Sequence, residues 1–243
     1  MTETINKEDF VEIEYVARLK EAGIVFDTNI EAVARKEEIF DPKMSYGFIA
    51  ICVGQGQILP GLDASLEGLE VGKEHEILLP PVRAFGKKDG KLMRLVATSI
   101  FSKQGIRPVN GLKVNMDGAI GMIRTVTGGR TIVDFNHPFA GKEVVYTVNV
   151  IKKIIDEKEK VLALVGLALN QKDEAISISI IDGKAKITVK KIVPAELIEL
   201  LKQRIIKLLP SIKDVDFVMP EPVKNQEKEA LDEPKDEPKD EPK

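Results

Sequence analysis

Apolar and polar residues alternate from Phe10 to Leu19, with Val11, Ile13, Tyr15, Ala17 and Leu19 on one parity and Glu12, Glu14 and Arg18 on the other. That period of two predicts a half-buried strand. Ala22-Gly23 turns it into a second strand through Phe26, which opens an antiparallel sheet. Asn29 is placed to cap a helix from Ile30 to Lys36, with the segment closed at Asp41-Pro42. Its pattern suits an exposed amphipathic helix, although it could instead rim a pocket. Phe48 to Val53 reads as a strand that breaks at Gly54 and Gly56. Pro60-Gly61 then opens a short helix in which Leu62, Leu66 and Leu69 share one face at i, i+4 and i+7. Glu74 to Pro80 is a further strand, stopped by Pro80-Pro81, and Ala84-Phe85-Gly86 forms a loop.

From Lys87 to about Val133 the pattern shortens. Met93, Leu95, Val96, Ile100, Phe101, Ile106, Val109, Leu112, Val114, Met116, Ile120, Met122, Ile123 and Val126 are spread among turn signals at Asn110-Gly111, Asp117-Gly118 and Gly128-Gly129. Several short strands are expected, with about two thirds of these apolar residues forming a small core and the rest a surface patch. Val144 to Ile151 alternates again and should return to the first sheet, followed by a charged linker from Asp156 to Lys160. Beyond it lie a short helix over Val161 to Leu169, a hairpin of Ala175 to Ile181 and Lys184 to Ile192 through Asp182-Gly183, a capped amphipathic helix from Ala195 to Leu208, and a strand from Val215 to Met219. This third unit should form a small α/β layer whose open edge leaves either a homodimer or an independent monomer. Asp-Glu-Pro-Lys occurs three times between Asp232 and Lys243, and the eight acidic and four basic residues from Glu227 onward describe an extended acidic tail.

Composition narrows the picture. A chain of 243 residues is long for one small barrel, and 43% hydrophobic with 31% charged residues is globular. A net charge of -3, with the cations dispersed, argues against a nucleic-acid groove. The single cysteine, Cys52, lies in an apolar run and reads as a buried core thiol, so nothing calls for an oxidising compartment. No apolar stretch is long enough to span a bilayer, and a cytoplasmic protein without a membrane partner is expected. His75 and His137 stand in different segments, which gives neither a catalytic triad nor a metal cluster. The glycines at 54, 56 and 61 lack the spacing and context of a dinucleotide loop.

Four segments in fixed order carry a family resemblance: the strand with Tyr15, Val25-Phe26-Asp27-Thr28, the helix entrance from Gly54 through Ile58-Leu59-Pro60-Gly61-Leu62-Asp63, and Ala84-Phe85-Gly86. Together they resemble the FKBP-type prolyl isomerases. Val133 to Lys142, with Asn136-His137-Pro138, and the strand from Val144 to Val150 resemble the SlyD-like, long archaeal branch of that family. The resemblance covers roughly residues 8 to 155. It implies an α+β protein: an FKBP-like antiparallel half-barrel wrapped on a short helix (1–86, completed by 134–156), an inserted small β domain in the flap (87–133), a C-terminal α/β domain (157–222) and a disordered tail (223–243).

The resemblance also implies a site. Asp27, Tyr15 and Phe85 are the expected catalytic residues, with Phe26, Ile49, Ile58, Leu59, Leu62 and Tyr146 binding substrate. Phe85 stands where the family usually has tyrosine, which keeps an aromatic wall and loses a hydroxyl donor. No metal and no cofactor is implied, and this tail lacks the histidines and cysteines with which some SlyD-like proteins bind nickel. The expected activity is peptidyl-prolyl cis/trans isomerisation coupled to chaperone binding of unfolded chains by the inserted domain. The rival is a holdase with little or no isomerase activity. Partners would be unfolded polypeptides containing Xaa-Pro bonds, no nucleic acid, and a homodimer if the third unit pairs.

Overall fold

A computed structural model describes residues 3–169 and 175–220, so the expected tail lies outside the described residues. The first sheet is antiparallel and built from β1 (Phe10–Leu19), β2 (Val25–Thr28), β3 (Ile49–Cys52), β4 (Glu74–Leu79) and β9 (Val144–Lys153). Its order is β2-β1-β9-β4, with β3 also paired to β1. Between these strands lie α1 (Glu31–Lys36) and α2 (Pro60–Leu66). The apolar parity of β1 and β9 packs on Leu62 and Leu66 of α2, so Val11, Ile13, Ile51, Leu79, Val148 and Val150 form one buried core. The alternation read along β1 is thereby realised, and the architecture is a mixed one of antiparallel sheet wrapped on a short helix.

Asn29 is not a helix cap. Ile30 occupies that position, and the Asn29 side chain is buried instead, accepting from the Tyr15 amide at 2.7 Å and donating to the Ile13 carbonyl at 2.9 Å. It continues the hydrogen-bond ladder of β1 after β2 has ended, a use of the amide that local spacing does not reveal. α2 ends at Leu66, so Leu69 packs on the same core from beyond the helix.

A second sheet has the order β5-β8-β7-β6, from β5 (Met93–Ala97), β6 (Lys113–Met116), β7 (Ala119–Thr127) and β8 (Arg130–Asp134). Its strands pair only with one another, as the short strands expected there, and a helix that was not anticipated, α3 (Thr98–Lys103), adds its buried Phe101 to the sheet's core. That core is smaller than expected. Val96, Phe101, Val114, Ile123 and Val133 are buried, while Met93, Leu95, Ile100, Val109, Ile120 and Val126 are exposed. Asp134 fastens the end of this sheet to its connecting segments: its buried carboxylate accepts from Arg124 at 3.0 Å and from the Asn136 amide at 2.9 Å, with Lys88 3.4 Å away.

The charged linker expected over Asp156 to Lys160 is mostly helix. α4 runs Glu157–Leu169, and Asp156 caps it by accepting from the Glu159 amide at 3.0 Å, which its acidic side chain and the helix dipole both favour. β10 (Ile176–Ile181) and β11 (Lys184–Val189) form the expected hairpin, with Asp182 and Gly183 both at positive φ, and β12 (Asp214–Val218) pairs parallel to β11. α5 (Ala195–Leu208) lies between them with Pro194 at its N-cap and no side-chain cap. This unit does not stand apart. Its core of Val161, Leu164, Val165, Ile187 and Ile205 continues into Phe10 and Cys52 of the first sheet and Ile154 just after β9. Cys52 is the buried thiol expected, with burial first and then the carboxylates of Glu8, Asp63 and Asp9 pushing its pKa up to about 12. No helix among the described residues is long and apolar enough to cross a membrane.

Candidate functional site

The site follows from one row across the sheet. Ala17 on β1 pairs with Asp27 on β2 and with Tyr146 on β9, which pairs in turn with Ile77 on β4. Residues paired across a ladder share a face, and so does Tyr15, two positions before Ala17. With the small Ala17 between them, the larger side chains lean together. The Tyr15 hydroxyl donates to Asp27 Oδ2 at 3.0 Å, and the Tyr15 and Tyr146 rings lie 5.8 Å apart.

These groups open into a cavity of about 790 Å³. Tyr15, Asp27, Ile49, Ile58, Leu59, Leu62, Phe85 and Tyr146 line it, so eight of the nine expected residues come together at one hollow. Phe26 is the exception. It stands behind the wall, edge-on to Phe85 at 5.7 Å and to Tyr146 at 6.4 Å, and holds both rings in place. His137 likewise serves the wall: its ring stacks on Phe85 at 4.5 Å with 6° between planes, while its Nδ1 accepts from the Phe139 amide at 3.2 Å. His75 is elsewhere, donating from Nε2 to the Glu70 carbonyl.

The entrance of α2 is fixed from both sides. The Asp63 carboxylate is buried and accepts from the amides of Gly54 and Gly56, each at 2.8 Å, which sets the loop that presents Ile58 and Leu59. On the other side, Arg83 donates to the Gly61 carbonyl and to Ser65 Oγ, and a Cβ at Gly61 would lie 2.0 Å from the Arg83 carbonyl oxygen. Glycine is therefore needed for the approach that brings Phe85 over α2. The sequence marks Asp63 as part of the helix entrance but not as this clamp, which its spacing of seven and nine residues from the two glycines makes possible.

Electrostatically the hollow is governed by the partial burial of Asp27. Burial raises the pKa of Asp27, against the lowering effect of the hydrogen bonds from the Tyr15 hydroxyl and the Thr28 amide. Burial and then the Asp27 charge push Tyr146 up to about 12, and the same two causes raise Tyr15 further. Both phenols therefore stay protonated donors. Tyr15 spends its proton on Asp27, whereas the Tyr146 hydroxyl has no partner among the described residues. No group of three His, Cys, Asp or Glu side chains gathers as a metal site among those residues.

Further lining residues were not anticipated. Met44, Tyr46 and Phe48 come from the loop after α1, rather than from that helix, and the loop is braced by Arg35 over the Phe40 ring and by Phe40 stacked on Tyr46 at 5.2 Å. Phe48 lies outside β3 and is exposed at the rim. Leu162, Ala163, Gly166 and Leu167 come from α4.

Comparison with known proteins bears on the same segments. A family model described as FKBP-type peptidyl-prolyl cis-trans isomerase matches residues 1–102, and one described as FKBP26, IF domain, matches residues 94–139. The short-type peptidyl-prolyl cis-trans isomerase of Methanocaldococcus jannaschii is 33% identical over 150 residues, 62% of this chain and 94% of that protein. The FKBP-type peptidyl-prolyl cis-trans isomerase SlyD of Treponema pallidum is 35% identical over 132 residues, 50% of this chain and 72% of that protein. The FKBP-type 16 kDa isomerase of Escherichia coli is 32% identical over 104 residues, 41% and 70% respectively.

Proposed function

The chain belongs to the FKBP-type peptidyl-prolyl cis-trans isomerase family, and from that premise we propose that it accelerates proline-limited folding of polypeptides that its second sheet first captures. The observation that carries the reading is the pairing of an aromatic hollow, in which Tyr15 holds Asp27, with a separate sheet whose domain leaves seven large apolar side chains exposed between Leu92 and Val126.

The chemistry needs no nucleophile. The barrier to prolyl rotation is roughly 18 to 20 kcal/mol because the planar amide is stabilised by charge separation. A dry pocket strips water from that charge-separated ground state and binds the twisted, less polar transition state better. Tyr15, Ile58, Leu59, Leu62, Phe85 and Tyr146 form the cradle for the prolyl ring, with Phe26 as its support. Asp27, held by Tyr15, accepts from a backbone amide of the substrate. The unpartnered Tyr146 hydroxyl is placed to donate to a substrate carbonyl, a role that Phe85 lacks the atom to fill.

Residues 87 to 133 act as the capturing domain in this reading. Flexible and branched apolar side chains adapt to many sequences, and a chain held there presents its prolines to the pocket at raised effective concentration. A hollow of about 370 Å³ between Leu95, Thr125 and Ile132 offers one place for a client side chain. The partners are thus unfolded polypeptides with Xaa-Pro bonds, and a cytoplasmic setting suits the lone buried thiol. Exposed Ile192 and Leu200 support pairing of two copies through the C-terminal unit, which sedimentation at rising concentration checks.

The exposed apolar side chains favour one rival specifically, a holdase in which isomerisation is incidental. Assaying the full chain on a short Xaa-Pro peptide and on a protein whose refolding waits on proline separates the two. Acceleration of both supports the proposal; suppression of aggregation without peptide turnover supports the holdase.

A further inference from the structure

The cavity is too large for its cradle. About 790 Å³ is the size of a site for a drug-sized ligand, many times a prolyl ring, and the part beyond Ile49 and Ala50 is walled by a helix from outside the first sheet. Val161 to Leu167 is an unbroken run of small and apolar residues, which a helix with a single buried face does not need. The structure shows two partners for it. Val161, Leu164 and Val165 sink into the C-terminal core, Leu162 and Ala163 touch both that core and the hollow, and Gly166 and Leu167, one turn on, line the hollow across β3.

We propose that this face of α4 is a specificity subsite: it receives an apolar side chain flanking the Xaa-Pro bond of the bound polypeptide, so the C-terminal unit helps choose the substrate. The inference rests on the reading of the cavity as the prolyl site. Three observations fix the occupant. The subsite opens from the same hollow as the cradle around β3, whose Ile49 faces the cradle and whose Ala50 faces α4, so what reaches it is the chain bound there. Its walls are Phe48, Ala50 and the α4 residues, all apolar, with the Glu12 carboxylate beside Ala50 across the β1–β3 pair. The charged residues lining the whole cavity are Glu12 and Asp27, and Glu12 is already paired with Lys152 at 3.2 Å, so an acidic flank is disfavoured and an aliphatic one accommodated.

The test uses the full-length chain and a set of peptides in which leucine, aspartate or lysine is moved through about three positions on either side of an Ala-Pro bond. The unaltered chain should prefer leucine over aspartate at one flanking position by about tenfold in kcat/KM, carried by KM, which is what burying one such side chain is worth. Leu167 stands at the rim of the subsite, 37% exposed, so Leu167→Glu is compatible with folding. It should move the preference at that position from leucine to lysine, and Leu167→Lys, at the same exposed position, should move it from leucine to aspartate. A helix that only supports the fold would lower the melting temperature of these variants and leave the flank preference as it was, which overturns the proposal. Equal turnover of all flanks by the unaltered chain also overturns it while leaving the prolyl pocket intact. Turnover of none of them brings down the pocket reading itself, and this inference with it.

Discussion

The pocket and the second sheet both present apolar side chains, and they do so in opposite ways. In the pocket each ring is held by others: Phe26 touches Phe85, Phe139 and Tyr146, Tyr15 is fixed to Asp27, and His137 lies flat on Phe85. In the sheet Leu95 and Ile120 are 61% and 71% exposed above a core of five buried residues. The first arrangement is concave and braced, which is what the proposed stabilisation of a transition state requires. The second is adaptable, which suits contact with chains of unrelated sequence. One molecule can combine them only because the second sheet completes its own hydrogen bonding and hangs from the first by a narrow neck, where Asp89 and Asn136 exchange two hydrogen bonds of 2.8 and 3.0 Å.

That contrast can be broken from either side. The largest effect is expected at Gly61, where a Cβ would meet the backbone oxygen of Arg83, an atom with no room to yield. Gly61→Val should cost about 3 kcal/mol in a urea melt and displace the loop carrying Phe85, abolishing peptide turnover. Retained stability would disprove the clamp. At the neck, burial alone would raise the Asp134 carboxyl, but the hydrogen bonds from Asn136 and Arg124 and the charge of Lys88 outweigh it and hold the pKa at about 2. Folding therefore gains about 2 kcal/mol from this group above the ordinary carboxylate pKa, and loses it as pH falls through about 2. Asp134→Asn should lower stability at neutral pH and flatten the acid side of the profile, as urea melts at several pH values would reveal.

Asp27 has the opposite sign. Its raised pKa means that folding favours the protonated form, so its contribution to stability falls as pH rises through the range between the ordinary and folded values. Asp27→Ala should accordingly leave the protein folded while lowering kcat/KM on a short peptide about tenfold; unchanged turnover would remove Asp27 from the mechanism. The smallest effect on stability is expected in the second sheet. Ile120→Ser should shift the melt by no more than about 0.5 kcal/mol, yet weaken binding of an unfolded chain measurably. A large stability loss would make Ile120 part of a core after all.

The strands and most of the cradle were legible because alternation along β1 and β9 reports the buried face directly, and because four separated segments each deliver one wall. What escaped had partners distant in sequence. Asn29 looks like a cap, yet bonds to backbone 14 and 16 residues upstream. Asp156 to Lys160 looks like a linker because its charges are solvated, yet it opens a helix. The second face of α4 was visible as an apolar run, but only the tertiary fold shows that the run is shared between a core and a cavity.

The division of labour is tested most directly by replacing residues 89–136 with a short turn, at the neck where Asp89 and Asn136 already meet, and assaying the shortened and full-length chains on a short Xaa-Pro peptide and on a proline-limited refolding protein. The account predicts that the peptide rate survives while acceleration of refolding falls by one to two orders of magnitude, on the order of the loss expected when a tethered binding module is removed. Parallel loss of both activities, or refolding accelerated as well without the sheet as with it, would contradict it.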